Sequence, residues 1–349
     1  MPISFLQINQ VVTHEFIEIM DHYAQAHTRG ISCVLATVVS LEGSGYRRPG
    51  VRMLLTEHGT EIGAVSGGCV EKEVRRQAEE VFKSALPKMM TYDGRYRLGC
   101  EGMLHILLEP FNPGGKAIKA FNAILESRTG FLCESFYAQK EGTDSDMGSI
   151  LQLGKNSFSL RQGFQPVAGS LTFTEELSPR MRLVLFGAEH DTVKLCQMAS
   201  TMGWEVVVVV PADEGKTERF FPGISELKAV TPETLNLDFI DTHCAVVVMT
   251  HSYVKDLQYL LKLSETVPGY LGVLGPARRR ERLLGDLIER NPEVRTAFVD
   301  QIHGPAGLDI GSETSQEIAV SILAEILAVF RKAIPVSLRN KAEAIHSPR

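Results

Sequence analysis

Apolar runs alternate with amphipathic stretches from Met181 onward, and this is the clearest pattern in the chain. The segment MRLVLFGAEHDTVKLCQMASTMGWEVVVVVPAD predicts a strand, a glycine turn, a helix and a second strand. Further buried strands are predicted in HCAVVVMTHS and GYLGVL, with helices over 255–264, after GPARRRER, and over 315–332. Strands that alternate with helices form parallel sheets, so this half is predicted to be a Rossmann-like, doubly wound α/β fold.

The first half shows a more mixed pattern that ends near residue 110. It predicts, in order, a helix over 13–26, a strand over 32–41, a glycine-rich loop over 42–50, two short strands in VRMLLTE and EIGAVSGG, an amphipathic helix after Gly68, and two strands within 89–110. Val70, Val74 and Ala78 share one face of the second helix, as expected for a helix that packs on a sheet. We expect a compact α/β domain over residues 1–110.

Weaker signals fill residues 111–179. A helix is predicted over 117–127, followed by the short strand candidates GFLCESFYA, SFSLRQ and SLTFTEEL between polar turns. We expect a small, mostly β extension or linker region over 111–179, a Rossmann-like domain over 180–335 and a tail over 336–349.

Composition and charge narrow the class of protein. The 349 residues carry a formal net charge of −6, so no basic field attracts nucleic acid. The start MPISFLQINQ lacks the pattern of a signal peptide, and no apolar run is long enough to span a bilayer. Six scattered cysteines form neither a CxxC motif nor a disulfide framework. We expect a cytoplasmic protein with no nucleic-acid and no membrane partner.

Cys69 lies between a glycine pair and the start of the second predicted helix, in GAVSGGCVEKEVRRQ. A glycine turn lets backbone N–H groups face a ligand, and a helix start favours the thiolate form of a cysteine. One interpretation is therefore a reactive or metal-binding sulfur. The other is a turn made by Gly67 and Gly68 and followed by a small buried hydrophobic residue.

Further candidate ligands surround this stretch in the first half. Ser44, Arg47 and Arg48 lie in the glycine-rich loop, and Cys100 lies in a second glycine-flanked stretch, LGCEG. Guanidinium groups bind anions and thiolates bind soft metals, so the set suits an anionic ligand that carries a soft metal or sulfur. No Ser–His–acid triad and no paired carboxylates point to hydrolysis.

FGAEHD occupies the turn at which a dinucleotide-binding fold carries GxGxxG. Gly187 keeps the first glycine, whereas Glu189 and Thr192 take the places of the other two. A carboxylate at Glu189 repels a pyrophosphate, and Val210 stands where an acid would hold the ribose. We therefore do not expect NAD(P) as a cofactor.

Other polar residues follow the predicted strands of this half. His190, His251 and His303 come after three strands, and Gly275 precedes the arginines of GPARRRER. Such strand ends are where α/β sheets bind ligands, and a helix start with an arginine binds anions. Hydrogen bonds within loops and a solvated helix start are the alternative explanation.

Seven motifs appear in an order that resembles one family. They are SLEGSGYRRPGVRMLL, IGAVSGGCVEKEV, LGCEGMLHILLEP, VLFGAEHD, VVVMTHS, YLGVLGPARRRERLL and GPAGLDIGSETSQEIAVSILAEILAV. The chain is identified by them as similar to the XdhC/CoxI family, the xanthine dehydrogenase accessory factors, from about Gly30 to Phe330. The resemblance implies an N-terminal XdhC/CoxI domain, a C-terminal Rossmann domain and a homodimer.

The same resemblance implies a function. It is the binding of molybdenum cofactor, its protection while the terminal sulfur is installed, and its delivery to a xanthine dehydrogenase-type molybdenum hydroxylase. A cysteine desulfurase and the apo-hydroxylase are the implied partners, and the chain is expected to be an accessory factor rather than a dehydrogenase. Our hypothesis places Cys69, with Cys100 second, at the molybdenum or its sulfur, and Arg47, Arg48 and glycine N–H groups at phosphate or pterin oxygens. The full expected cofactor-binding set is Cys69, Gly67, Gly68, Ser44, Arg47, Arg48, Cys100, Gly187, His190, His251 and Gly275.

The sequence departs from the family pattern at Glu101, Glu189 and Val210, and GPARRR stands where GSRRK is usual. Three of these changes fall in the Rossmann half, which favours a dimerisation or docking role for it. Two alternatives stay open: an NAD(P)-dependent oxidoreductase, and a scaffold that docks dehydrogenase subunits.

Overall fold

The computed structural model describes residues 6–9, 13–43, 48–94 and 102–340, with the side chains of 6–9 and of Cys69 outside the description. The chain divides into two compact units, the first ending at Pro179 and the second running from Arg180 to Asn340. Each unit has its own hydrophobic core.

The first unit contains two β-sheets and three helices among its described residues. Its elements are β1 (Leu6–Asn9), α1 (Thr13–Thr28), β2 (Cys33–Glu42), β3 (Arg52–Thr56), β4 (Glu61–Gly63), α2 (Cys69–Ser84), β5 (Lys88–Asp93), β6 (Met103–Pro110), α3 (Gly115–Glu126), β7 (Phe131–Tyr137), β8 (Gly142–Thr143), β9 (Gly148–Leu153), β10 (Asn156–Ser159) and β11 (Leu171–Leu177). One sheet has the order β4-β3-β2-β6-β5-β8 and the other β1-β11-β7-β9-β10. The predicted extension therefore contributes β8 to the first sheet and most of the second.

The apolar face of α2 packs on the first sheet as its spacing predicts. Val70, Val74 and Ala78 lie in one core cluster with Val38 of β2 and Ile106 of β6. This packing fixes the start of α2, and with it the backbone of Cys69, against the sheet.

Polar side chains are buried between the two sheets of this unit. Arg52 is 2% exposed and Glu175 of β11 is 0% exposed, with 2.6 Å between Arg52 Nη1 and Glu175 Oε2. Glu109 of β6 is also fully buried, and one of its carboxylate oxygens accepts the Ser149 N–H at 2.9 Å. Buried polar groups are stable only when they are paired or hydrogen-bonded, so these contacts constrain the fold.

The second unit is a doubly wound parallel sheet, as predicted. Its elements are β12 (Arg182–Phe186), α4 (His190–Thr201), β13 (Glu205–Val210), β14 (Glu226–Ala229), β15 (Cys244–Val248), α5 (Tyr253–Leu263), β16 (Tyr270–Val273), α6 (Ala277–Arg290), α7 (Thr296–Asp300), β17 (Ile302–His303) and α8 (Ser315–Phe330). The strand order is β14-β13-β12-β15-β16-β17, and every pairing is parallel. The direction of winding reverses between β12 and β15, and α/β folds of this order bind ligands in the crevice at the carboxyl ends of those two strands.

Helices α1, α3, α5 and α8 each differ from the sequence prediction by one or two residues at an end. Helix α5 begins at Tyr253, two residues early, because the Ser252 hydroxyl accepts the Lys255 N–H and caps the helix. Helix α8 ends at Phe330, and the αL residue Lys332 follows it. Among the described residues, no helix is long and apolar enough to cross a membrane.

Candidate functional site

The start of α2 is built from an exposed glycine turn. Gly68 has a φ of +121°, a conformation that glycine adopts without strain. A Cβ added to Gly67 or to Gly68 would meet no atom within 4 Å, so the space beside this backbone is open. Cys69 follows as the first residue of the helix. The turn therefore leaves room for a ligand next to the residue that bears the thiol.

An internal carboxylate holds this turn in place. The two carboxylate oxygens of Glu71 accept the N–H groups of Ser66 at 2.7 Å and of Gly68 at 2.8 Å. Glu71 is itself 8% exposed. Such a capping carboxylate satisfies donors that would otherwise lack a partner at the helix start. The Gly67 N–H donates to the Ser66 hydroxyl, so the N–H groups of Ser66, Gly67 and Gly68 are all engaged within the turn. The expectation that the glycine N–H groups face a ligand is therefore wrong for Gly67 and Gly68.

The other predicted residues of the first unit are only partly within the description. Arg48 is half-buried, close in the chain to Gly50, whose carbonyl accepts an N–H of Arg52 at 2.9 Å. Ser44, Arg47 and Cys100 lie outside the described residues. Their proximity to Cys69 stays a prediction.

The second group of predicted residues meets at the crevice between β12 and β15. His190 is the first residue of α4 and is exposed, and His251 follows β15 on the other side. His251 Nε2 lies 3.7 Å from Asp191 Oδ2, so the two side chains face each other across the crevice between the strand ends. The structure thus brings Gly187, His190 and His251 to one edge of the sheet.

Gly187 is required by the neighbouring strand. Its φ is +146°, and a Cβ there would lie 2.5 Å from the Met249 carbonyl oxygen. The glycine therefore permits close approach of two backbones, which is sufficient to explain it without a phosphate ligand.

The start of α4 does not fit the pyrophosphate of a dinucleotide. Glu189 is its N-cap residue and Asp191 lies in its first turn. Both carboxylates are placed where a helix attracts negative charge, so they repel a phosphate at that position. Thr192, at the third glycine position of the motif, is fully buried. The residues present thus disfavour NAD(P) in this crevice.

The arginine run at α6 is mostly engaged in internal contacts. Arg279 Nη2 donates to Asp256 at 2.6 Å, and Arg280 donates to the Ile302 carbonyl at 3.3 Å. Gly275 has a φ of +121°, and a Cβ there would lie 2.6 Å from Arg279 Cδ. Gly275 thus gives room to an arginine, whereas Arg278 is exposed at the helix start.

His303 belongs to a separate cluster that includes Tyr270 and Glu325. The His303 and Tyr270 rings stack with centroids 4.7 Å apart, and the Tyr270 hydroxyl donates to Glu325 at 2.6 Å. Burial opposes ionisation of Glu325, but hydrogen bonds from His303, Tyr270 and the Gly307 N–H hold its pKa below the ordinary value. Among the described residues, no three His, Cys, Asp or Glu side chains converge as metal ligands.

Asp256, Tyr270 and Glu325 were not among the residues predicted from the sequence. Of these three residues, only Asp256 could have been found from the sequence. It falls beside Leu257 and Leu260 on the apolar face of an amphipathic helix, and this position predicts that its carboxylate is buried. A carboxylate in that position requires a buried partner, here Arg279.

Substituting Gly187 by alanine tests the close approach at the crevice. We expect a loss of about 1–3 kcal/mol in the free energy of unfolding, because the added Cβ meets the Met249 carbonyl at a φ unsuited to alanine. Urea unfolding of the full chain measures it. Gly285→Ala, in the middle of α6 where an added Cβ meets no atom within 4 Å, is the control and is expected not to destabilise. An equal change in the free energy of unfolding for the two variants would contradict the explanation of Gly187 by the Met249 carbonyl.

Two family models match the chain. The XdhC and CoxI family model matches residues 26–93, and the XdhC Rossmann domain model matches residues 183–326. They lie in the first and second compact units respectively.

Curated relatives and a solved structure extend the match over most of the chain. A probable xanthine dehydrogenase subunit of Bacillus subtilis (strain 168) is 31% identical over 326 residues, which cover 87% of this chain and 94% of the relative. The "Molybdenum cofactor insertion chaperone PaoD" of Escherichia coli (strain K12) is 24% identical over 91% of this chain and 90% of the relative. A crystal structure described as a xanthine dehydrogenase from Bacillus halodurans matches with a TM-score of 0.74 and 26% identity, covering 93% of this chain and 98% of that one. By these matches, the chain belongs to the XdhC and CoxI family, and its second half is an XdhC Rossmann domain.

Proposed function

We propose that this protein is a maturation chaperone that binds molybdenum cofactor, protects it during sulfuration and delivers it to a xanthine dehydrogenase-type molybdenum hydroxylase. The observation that carries the proposal is the open glycine turn at Gly67 and Gly68, with Cys69 as the first residue of α2. Similarity to the insertion chaperone PaoD over 91% of the chain supports it.

The chemistry of the cargo matches the residues at this turn. The cofactor joins a molybdenum centre held by sulfur to a pterin and a phosphate, so it presents a soft metal at one end and an anion at the other. A thiolate at Cys69 would bind the metal or its exchangeable sulfur, with Cys100 as the second candidate. Ser44, Arg47 and Arg48 would hold oxygens of the phosphate or pterin. Gly67 and Gly68 would contribute open space beside the cargo, because their own N–H groups already donate to Ser66 and Glu71.

The crevice of the second unit is the second part of the proposed binding set. Gly187, His190, His251 and Gly275 lie at the carboxyl edge of its sheet, and the imidazoles offer hydrogen bonds to a polar cargo. A cysteine desulfurase, the apo-hydroxylase and a second copy of this chain are the proposed partners, and the cytoplasm is the proposed location.

Removing the Cys69 thiol tests the proposal. The wild type and Cys69→Ala are expressed in a host that makes the cofactor and purified without oxygen, and bound molybdenum and pterin are assayed. We expect a loss of about tenfold or more in cargo bound to Cys69→Ala, because weakening even an indirect metal contact costs about 10–100-fold in affinity.

Cys33→Ala is the matched control for this experiment. Cys33 is buried in the same unit, and burial, with Glu57 nearby, raises its pKa to about 11, so it stays a protonated thiol at neutral pH. Its loss is expected to leave the cargo in place. A wild type that purifies without cargo, or a Cys69→Ala variant that keeps it, would refute the carrier role of this thiol.

A further inference from the structure

His251 has an unusual backbone conformation. Its φ is +57°, the left-handed region that a residue with a β-carbon enters only at a cost. It lies in the loop between β15 and α5, at the crevice where the winding of the sheet reverses, and half of its side chain is exposed. A glycine would relieve the strain here, so the histidine side chain is the feature that needs an explanation.

The residue before His251 is held by a buried carboxylate. Asp256 is 1% exposed, and its Oδ1 accepts both the N–H of Thr250 at 3.1 Å and the Thr250 hydroxyl at 2.5 Å. Its other oxygen accepts Arg279 Nη2 at 2.6 Å. A buried carboxylate that accepts from three donors is a rigid anchor. Loss of the Arg279 contact would remove its countercharge, and loss of a Thr250 contact would leave a buried polar group less well satisfied.

The residue after His251 is held as well. The Ser252 N–H donates to the Thr250 hydroxyl at 3.3 Å, and the Ser252 hydroxyl caps α5. Both neighbours of the strained residue are therefore fixed, and the strain persists because the surroundings over-determine it. The imidazole is left to face the crevice, with Asp191 Oδ2 at 3.7 Å from its Nε2.

A purely structural role of Asp256 does not explain why residue 251 is a histidine. Asp256 would hold the loop and pair with Arg279 equally well if residue 251 were glycine or asparagine, both of which adopt positive φ more readily. The contact between His251 Nε2 and Asp191 Oδ2 is 3.7 Å long and half-exposed, so it contributes little to stability and does not by itself require an imidazole.

We infer that Thr250, Asp256 and Arg279 are positioning residues that hold the His251 imidazole at the crevice, where it contacts the cargo. The inference rests on the proposed function for the identity of the cargo. The positioning of His251 depends only on contacts within this chain. Arg279, which the sequence analysis weighed as an anion-binding residue, acts here through Asp256.

A pair of substitutions at position 250 isolates the hydroxyl. Thr250→Val keeps the shape and the backbone N–H bond to Asp256 but loses the hydrogen bonds of the hydroxyl, whereas Thr250→Ser keeps the hydroxyl. In the full chain labelled with ¹³C-histidine, the His251 ring resonance is assigned among the ten histidines by its absence from His251→Asn. We expect Thr250→Val to shift that resonance and to speed amide hydrogen exchange at residues 250–252 by about tenfold or more. Thr250→Ser is expected to match the wild type, and Asp256→Asn to match Thr250→Val.

A separate variant serves as the control for a general loss of stability. Leu263→Ala removes a fully buried side chain at the far end of α5, so it destabilises the same unit without touching the loop. We expect its His251 resonance and its bound cargo to be those of the wild type, whereas Thr250→Val loses cargo. His251→Gly is expected to raise the melting temperature or leave it unchanged while bound cargo falls, because glycine removes the strain and the ligand together.

Three results would overturn the inference: an unchanged His251 resonance in Thr250→Val, the same shift in Leu263→Ala, or full cargo retention in His251→Gly. Failure of the proposed function has a different signature. The wild type would then purify without molybdenum or pterin, while the resonance and exchange measurements would still decide the positioning roles of Thr250 and Asp256.

Discussion

Replacing Arg52 by methionine is expected to lower the free energy of unfolding by about 3–5 kcal/mol. Its partner Glu175 is 0% exposed, and the 2.6 Å contact between them is an ion pair in which both side chains are buried. Without the guanidinium, the carboxylate would be buried without this countercharge. The desolvation cost of that charge is then no longer offset, and it dominates the loss.

Further contacts of Arg52 add to this effect. Its Nη1 also donates to the Gly50 carbonyl at 2.9 Å, and its guanidinium lies 5.3 Å from the Phe16 ring centroid. A Cβ at Gly50 would lie 2.5 Å from Glu175 Oε1, so this glycine lets the loop pass over the pair. We therefore expect the substitution also to loosen the backbone just before β3.

Urea unfolding of the full chain measures the change, with two comparisons. Arg76→Met removes an exposed partner of Glu73 and is expected to have little effect, because water screens that pair. The double variant Arg52→Met, Glu175→Leu is expected to recover much of the loss, since it removes both charges together. A double variant no more stable than Arg52→Met would show that the loss of the Arg52 countercharge is not the cause.

The stability of the protein is expected to fall as pH rises, through Glu109. This carboxyl is fully buried, and burial raises its pKa to about 7 in spite of hydrogen bonds from Ser149 and nearby Arg161 and Arg52. The ordinary value is 4.5, so the folded state binds the proton more tightly than the unfolded state does. The contribution of the Glu109 carboxyl to the free energy of unfolding is therefore fully present below pH 4.5. It is lost as pH rises to about 7, a change of about 3 kcal/mol.

Glu109→Gln should remove this component. The difference in unfolding free energy between about pH 5 and pH 8 is measured by urea titration for the wild type and for Glu109→Gln. We expect the glutamine to flatten the profile by about 2–3 kcal/mol. Identical profiles for the wild type and Glu109→Gln would mean that another group causes the dependence.

Several elements were predicted correctly because their pattern is local. The run EVVVVV forms β13 and the run CAVVV forms β15. Each of these strands pairs in parallel with a neighbour on both sides. Strands buried on both faces are apolar throughout, and no tertiary information is needed to see it. Strand β9, Gly148–Leu153, was missed because it directly follows a polar turn. Its strand character comes from pairing with β7 and β10 on both sides.

Local sequence was sufficient for the doubly wound second half, the helix after Gly68 and the family, since each depends on residues close together in the chain. The reasons why particular residues are present emerged only from the folded chain. Arg52 and Glu175 are 123 positions apart, and Arg279 and Asp256 are 23 apart. Gly187 likewise owes its identity to the Met249 carbonyl of the next strand. Such contacts depend on strand order and register, which no local pattern specifies, and buried charges and close backbones make them energetically decisive.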